Sequence, residues 1–396
     1  MKNKRTASRD RGDSDKERNR KPRPRRTANK KISIFAEGIE PEAMNQFNSA
    51  MENDFALAGA LLPDAHTGYT LPIGGVVGTD SVILPSWVGY DIGCGMCAIN
   101  TGLSSERLIP FTDLIYRKIY EQIPTGFNHH AHAADWDCSH LENTDVVQRL
   151  LHQKGLKQLG TLGSGNHFIE LGFDEVDRVW IIVHSGSRGL GHDLASHYMK
   201  LASRSAKARE GHFGFEVNTG KGQDYISDMN FCLAYALENR KRMIDTILDI
   251  IARTVPDQPL AQIDKDGLIN RNHNHAEFRH GMWIHRKGAT QAEKGMLGII
   301  PGNMRDGSFV VEGVGNPDSL WSSSHGAGRV MGRRRAREIL SIDQFRKTMT
   351  GIKAKITPGT LDESPFAYKD IFQVMHSQTS MIKILHHIKP ILNIKA

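Results

Sequence analysis

The stretch that most constrains this chain is Gly89-Tyr90-Asp91-Ile92-Gly93-Cys94-Gly95. It follows an apolar run and sets a carboxylate and a thiol three residues apart among three glycines. Glycine tolerates backbone angles closed to other residues, so the turn can bend sharply and aim Asp91 and Cys94 at one point. A thiolate beside a carboxylate suits a divalent transition metal, because soft sulfur selects against magnesium and calcium. Three further histidine-bearing turns look able to complete such a site.

The first is Gly160-Thr161-Leu162-Gly163-Ser164-Gly165-Asn166-His167, a glycine-rich turn that delivers Asn166 and His167 to the start of an apolar strand. Next, the strand Val179–Val183 runs into His184-Ser185-Gly186-Ser187-Arg188-Gly189. His184 reads either as a ligand at a cleft edge or as a satisfied core histidine. Asn272-His273-Asn274-His275 is the third. Two other stretches carry chemistry. Pro63-Asp64-Ala65-His66 ends a short apolar run. Ser324-His325-Gly326-Ala327-Gly328-Arg329 sets one histidine among small residues with Arg329 and Arg333 to Arg335 behind it. Small neighbours leave room for a bulky ligand and arginines favour anions, so His325 reads as a nucleophile toward phosphorus or as a capped loop histidine. Arg286-Lys287 fits either a phosphate or a solvated surface. Cys94-Gly95-Met96-Cys97 lacks the second pair of a zinc ribbon, which leaves Cys97 as packing. The loop with His129, His130, His132 and His140 has irregular spacing and reads as polar surface.

The formal charge of +7 is unevenly placed. Residues 1–31 hold 14 Lys/Arg against 4 Asp/Glu, and the rest of the chain is slightly acidic. Such a segment cannot bury enough apolar surface to fold and reads as a disordered basic tail suited to phosphate backbones. No run of about 20 apolar residues and no apolar leader is present, which points to a cytoplasmic protein without a membrane partner. From 32 onward a mixed α/β pattern emerges. A helix starts at Pro41, strands lie over 72–77 and 82–84, and helices are expected over 106–123, 193–209 and 225–254, with a glycine-rich loop at 211–222.

Taken in order, Pro63 to His66, Gly89 to Gly95, Gly163 to Phe168, His184 to Gly189, His273-Asn274, Arg286 to Ala289 and Ser324 to Arg329 resemble the RtcB family of RNA-splicing ligases over roughly residues 55–396. The resemblance implies one α/β catalytic domain, 32–396, with a mixed-sheet core around a deep cleft. It implies an enzyme that joins RNA 2′,3′-cyclic-phosphate or 3′-phosphate ends to 5′-hydroxyl ends in RNA repair or tRNA splicing, using GTP and two Mn²⁺ ions. Cys94 would bridge the ions, with Asp91 and His167 on one and His184 and His273 on the other. His325 would carry GMP, oriented by Asp64; Asn166, Glu170, Ser308, Tyr368 and Lys395 would hold the guanylate, with Asn303 beside them. Whether an archease-type activator takes part is left open. Asn303 and Arg305-Asp306 depart from the family's Pro-Gly-Ser-Met-Gly-Thr, and Ala396 stands where the family ends in glycine. A metal-dependent RNA cyclic phosphodiesterase or phosphatase and a non-catalytic RNA-binding factor are the alternatives. No GxxxxGK[ST] loop occurs, which disfavours a P-loop enzyme.

Overall fold

Along the strand Gly95–Ser104 side chains alternate, Cys97 and Ile99 entering one core cluster and Met96 and Ala98 another. That is the two-residue period of a strand covered on both faces. It pairs antiparallel with Arg178–Ser185 on one side and Ile269–Asn272 on the other. These belong to an eight-stranded sheet ordered Leu297–Pro301, Ser308–Gly313, Ile382–Ile394, Phe168–Phe173, Arg178–Ser185, Gly95–Ser104, Ile269–Asn272, with Lys353–Ala354 joined in parallel to Ile382–Ile394. A five-stranded sheet runs Lys31–Ile34, Ala56–His66, Ile73–Thr79, Met282–Lys287, Asn274–Arg279, its first pair parallel and the others antiparallel. The architecture is mixed α/β, as expected.

This computed structural model describes residues 30–256 and 267–396. Residues 1–29, most of the expected basic tail, lie outside the described residues. Lys30 donates from Nζ to the carbonyls of Met51 and Asn53, at 2.6 and 2.7 Å, and Lys31 opens the first strand.

Helix Pro41–Met51 starts at its proline and buries Phe47 and Met51 with Leu61 and Trp87. Helix Gly220–Ala252 lays Met243, Ile247 and Ile251 on Ile99, Ile181 and Val183. Three helix boundaries differ from expectation. The helix expected over 106–123 is interrupted: Ser105–Leu108, a 3₁₀ turn Ile109–Phe111, then Thr112–Gln122 with Ile115 and Ile119 buried. Pro110, which has no N–H to give, sits at the interruption. The next helix spans Arg188–Ser203 rather than 193–209. The long one begins at Gly220 rather than 225, because Thr219 caps it by accepting from the Gly222 N–H at 3.2 Å. Gly222 is there for close approach, since a Cβ would stand 2.2 Å from the Glu216 carbonyl. Among the described residues no helix is long and apolar enough to cross a membrane.

The two sheets share continuous chain. Ile269–Asn272 lies in the larger and Asn274–Arg279 in the smaller, so His273 stands at the seam. Gly288 likewise separates Met282–Lys287 from Ala289–Gln291, which pairs with Ser322–Ser324 and brings His325 to the same place.

Candidate active site

The functional side chains lie where strands begin or end at this seam. Cys94 precedes one strand, His167 precedes another, His184 is next to last in a third, and His325 follows Ser322–Ser324. Asp64 comes from an irregular part of Ala56–His66, where pairing with Ile73–Thr79 slips between Leu61 and His66; such irregularities re-aim side chains. In the central turn only part of the glycine argument holds as expected. Gly89 and Gly93 take positive φ, of 93° and 74°, whereas Gly95 is needed because a Cβ would fall 2.0 Å from the Arg271 carbonyl of the neighbouring strand.

The five predicted metal donors converge. Cys94 Sγ lies 3.4 Å from His167 Nε2 and 3.2 Å from His184 Nε2. His167 Nε2 stands 2.9 Å from Asp91 Oδ2, and His184 Nε2 3.3 Å from His273 Nε2. Sulfur thus sits between an Asp91–His167 pair and a His184–His273 pair. His167 Nδ1 faces the Leu162 carbonyl at 3.0 Å and His184 Nδ1 the Asn166 carbonyl at 3.2 Å. A carbonyl only accepts, so the His184 ring carries its proton on Nδ1 and, when neutral, turns a bare Nε2 lone pair inward, whereas both His167 nitrogens face acceptors, the Leu162 carbonyl and the Asp91 carboxylate. Burial, with His167 and His325 respectively as neighbours, holds His184 and His273 well below the usual histidine range, so both are neutral. Lone pairs of two imidazoles, a sulfur and a carboxylate crowded together call for cations between them. The donor set fits divalent transition-metal ions. Burial, then the Asp91 carboxylate, pushes the Cys94 thiol well up, so a bound cation is what would make it a thiolate.

His325 adjoins this cluster, its ring centroid 4.9 Å from that of His273. Asp64 Oδ2 accepts from His325 Nδ1 at 2.6 Å and from its backbone N–H at 3.1 Å. Burial raises the Asp64 carboxyl, but the His325 ring beside it outweighs that and the group stays below its ordinary value. With Nδ1 donating to Asp64, Nε2 is the ring nitrogen left for chemistry. Beside it opens a cavity of about 190 Å³, and every predicted guanylate residue lines it: Asn166, Glu170, Asn303, Ser308, His325, Tyr368 and Lys395. Ser308 Oγ donates to Glu170 Oε1 at 2.9 Å and Asn393 Nδ2 to Oε2 at 3.0 Å. Burial nonetheless pushes Glu170 up to about 7.

Some expectations change. Arg286 is wholly buried and neither solvated nor free for phosphate, donating to Glu277 at 2.5 Å and Ser322 at 2.8 Å. Lys287 Nζ is also buried, 3.1 Å from the Ser86 carbonyl. Asn303 lines the cavity but spends its amide inside its own turn, donating to Asp306 at 2.7 Å and accepting from the Arg305 and Asp306 N–H groups. Three residues escaped sequence reading. Glu363, buried, gathers Tyr368 O–H at 2.6 Å, Lys395 Nζ and Arg329. Arg240 and Asn239, on the inner face of the long helix, hold the loops behind the metal donors. Asn239 Nδ2 reaches the Thr161 and Gly186 carbonyls, each at 3.2 Å. Their signal was polarity on a face shared with Cys232, Tyr235 and Met243.

A family model described as tRNA-splicing ligase RtcB matches residues 47–145 and 130–396. The chain belongs to the RtcB family. It is 32% identical to the RNA-splicing ligase RtcB of Escherichia coli (strain K12), covering 93% of this chain and 98% of that one. Similarity extends to the tRNA-splicing ligase RtcB of Aeropyrum pernix, 28% identical over 86% of this chain and 89% of the relative. The RNA-splicing ligase RtcB of Mycobacterium bovis is 29% identical over 84% and 95%. The matches therefore span the whole seam between the sheets, its metal-donor cluster and its cavity.

Proposed function

We propose that this protein is an RNA ligase that joins 2′,3′-cyclic-phosphate or 3′-phosphate ends to 5′-hydroxyl ends, with GTP as the activating co-substrate. The observation that carries this reading is one partly buried imidazole, His325, held by a carboxylate where a cavity of about 190 Å³ meets a cluster of metal donors. His325 Nε2 attacks the α-phosphorus of GTP; a P–N bond forms, the bond to the pyrophosphate oxygen breaks, and pyrophosphate leaves. Asp64 keeps the Nδ1 proton and balances the positive charge that the ring acquires. After water opens a cyclic phosphate to a 3′-phosphate, an oxygen of that phosphate takes GMP from His325. The RNA 5′-hydroxyl then attacks the activated phosphorus and GMP leaves. Two Mn²⁺ ions, held by Asp91, Cys94, His167, His184 and His273, would supply neutralisation of phosphate charge and alignment of attacking and leaving oxygens. Glu170 accepts from the guanine N1–H and amino group, while Ser308, Tyr368 and Lys395 close the pocket and Asn166 faces the phosphate.

The test is ligation of a 3′-phosphate RNA to a 5′-hydroxyl RNA with GTP and manganese, beside manganese counting by elemental analysis after dialysis. Wild type should join the strands and hold two ions; Cys94→Ser should do neither. Ligation by the metal-free variant at the wild-type rate would overturn the assignment of the cluster. Opening of the cyclic phosphate without any joining would instead select the phosphodiesterase.

Glu170 makes a pH prediction. Guanine presents two donors to one carboxyl, so only the ionised form serves both. With this group raised to about 7 by burial, guanosine binding should strengthen as pH rises from 5.5 through 7 and level off above it. Glu170→Gln should bind weakly at every pH. A flat wild-type profile in calorimetry would remove Glu170 from guanine recognition.

A further inference from the structure

Near the donor cluster, and outside the lining of the nucleotide cavity, stands a group of rings that the proposed chemistry does not use. Tyr69 is 70% exposed, the most exposed tyrosine side chain near the site. Its ring meets the edge of Tyr90 at 6.4 Å and 88°, and Tyr90 stacks on the largely exposed His192 at 5.1 Å and 23°. Tyr90 immediately precedes the metal-donor candidate Asp91 in the central turn. Behind Tyr69 lies Lys287, its Nζ 5.7 Å from the ring centroid and tied to the Ser86 carbonyl. Next to it in sequence, Gly288 packs so close to His325 that a Cβ would fall 3.1 Å from the imidazole. The rings are thus tied through the chain to both halves of the site: Tyr90 precedes Asp91, and Lys287, under Tyr69, precedes the Gly288 that packs on His325.

A tyrosine kept for stability would bury its face; this one keeps its face in water while a cation and a neighbouring ring fix its position. The Tyr90 hydroxyl is in turn engaged by Glu210, which holds that ring as well. Fixed, solvent-facing π-surfaces beside a site for single-stranded ends are what an unstacked base requires, and such stacking is tolerant of sequence. We propose that Tyr69, Tyr90 and His192 form a stacking platform for an unpaired nucleobase of the RNA, at the nucleotide next to the end being joined. The proposal rests on the RNA-ligase reading and adds to it a base subsite separate from the guanine cavity.

The test titrates the full chain, without GTP, into two RNA oligonucleotides carrying 2-aminopurine. One has it at the first nucleotide of a 5′-hydroxyl strand, the other at the last nucleotide of a 3′-phosphate strand. Stacking quenches the probe, so quenching in either strand is expected and names the end that the platform takes. Tyr69→Ala, an exposed change that leaves the core intact, should weaken binding of that strand about tenfold and abolish the quenching, while Tyr69→Phe keeps both. Binding by wild type with quenching and affinity unaltered in Tyr69→Ala would overturn the platform and leave ligation standing; that surface would then suit a protein partner. Failure of wild type to bind either strand would overturn the ligase reading and the platform with it.

Discussion

Protein incubated with manganese and α-labelled GTP is expected to keep label through denaturing electrophoresis and lose it in acid, and His325→Ala to keep none. The geometry makes this all-or-none. Among the described residues, His325 is the imidazole that lines the cavity with its Nδ1 locked on a carboxylate, so no neighbour can substitute for it. His66 and His184 also border the cavity, but His66 Nδ1 is 2.9 Å from the Asp64 carbonyl and His184 Nε2 faces the donor cluster, 3.2 Å from Cys94 Sγ. Asp64→Asn should behave differently from the alanine variant. An asparagine oxygen still accepts from Nδ1, so the ring stays oriented, but the negative charge that balances the guanylated ring is gone. Labelling should slow by about 10²–10⁴-fold without vanishing. Label persisting on His325→Ala would show that GMP is carried elsewhere; equal rates for wild type and Asp64→Asn would reduce Asp64 to a structural role.

The parts of this site that were legible in the sequence share a property: they sit in short glycine-flanked turns where a polar side chain has no structural excuse. Asp91, Cys94, His167 and His325 all stand out for that reason. Glu363 does not, because it ends a short 3₁₀ helix, Pro358–Glu363, too brief to set a periodicity that a polar residue could violate. It becomes visible only once Tyr368, Lys395 and Arg329 are seen to converge on it. Arg286 was misleading in the opposite sense. Next to Lys287 it reads as surface charge, yet the second half of Met282–Lys287 is covered on both faces, and there Glu277 neutralises it. The mixed α/β class followed from strand and helix periods. That two sheets meet at His273 did not, since the change of sheet costs the sequence a single residue.

Arg240→Met is expected to lower the thermal midpoint by on the order of 5 °C and to loosen metal binding at the same time. Arg240 is fully buried, and its guanidinium makes four hydrogen bonds: to Asn270 at 2.8 Å, to the Gly93 and Ser185 carbonyls at 2.8 Å each, and to Asn272 at 2.7 Å. Gly93, Ser185 and Asn272 adjoin Cys94, His184 and His273, and the Gly93 and Ser185 carbonyls would lose a partner away from water. Burial lowers this guanidinium to about 10, while the nearby Cys97, Cys94 and Asp91 favour its charged form, so it remains a cation at neutral pH. A fixed positive charge below the sulfur favours the thiolate that metal binding requires, and methionine fills the volume without supplying it. Arg240→Lys separates the two effects. It keeps the charge but not the fork, since one ammonium cannot reach four acceptors in different directions. Lysine should therefore recover part of the manganese affinity while leaving most of the thermal loss. If methionine changed neither the midpoint nor the manganese stoichiometry, the long helix would be packing alone. Loss of both together, with lysine rescuing only the metal, would mean that helix Gly220–Ala252 sets the position and the charge of the donors whose side chains it does not supply.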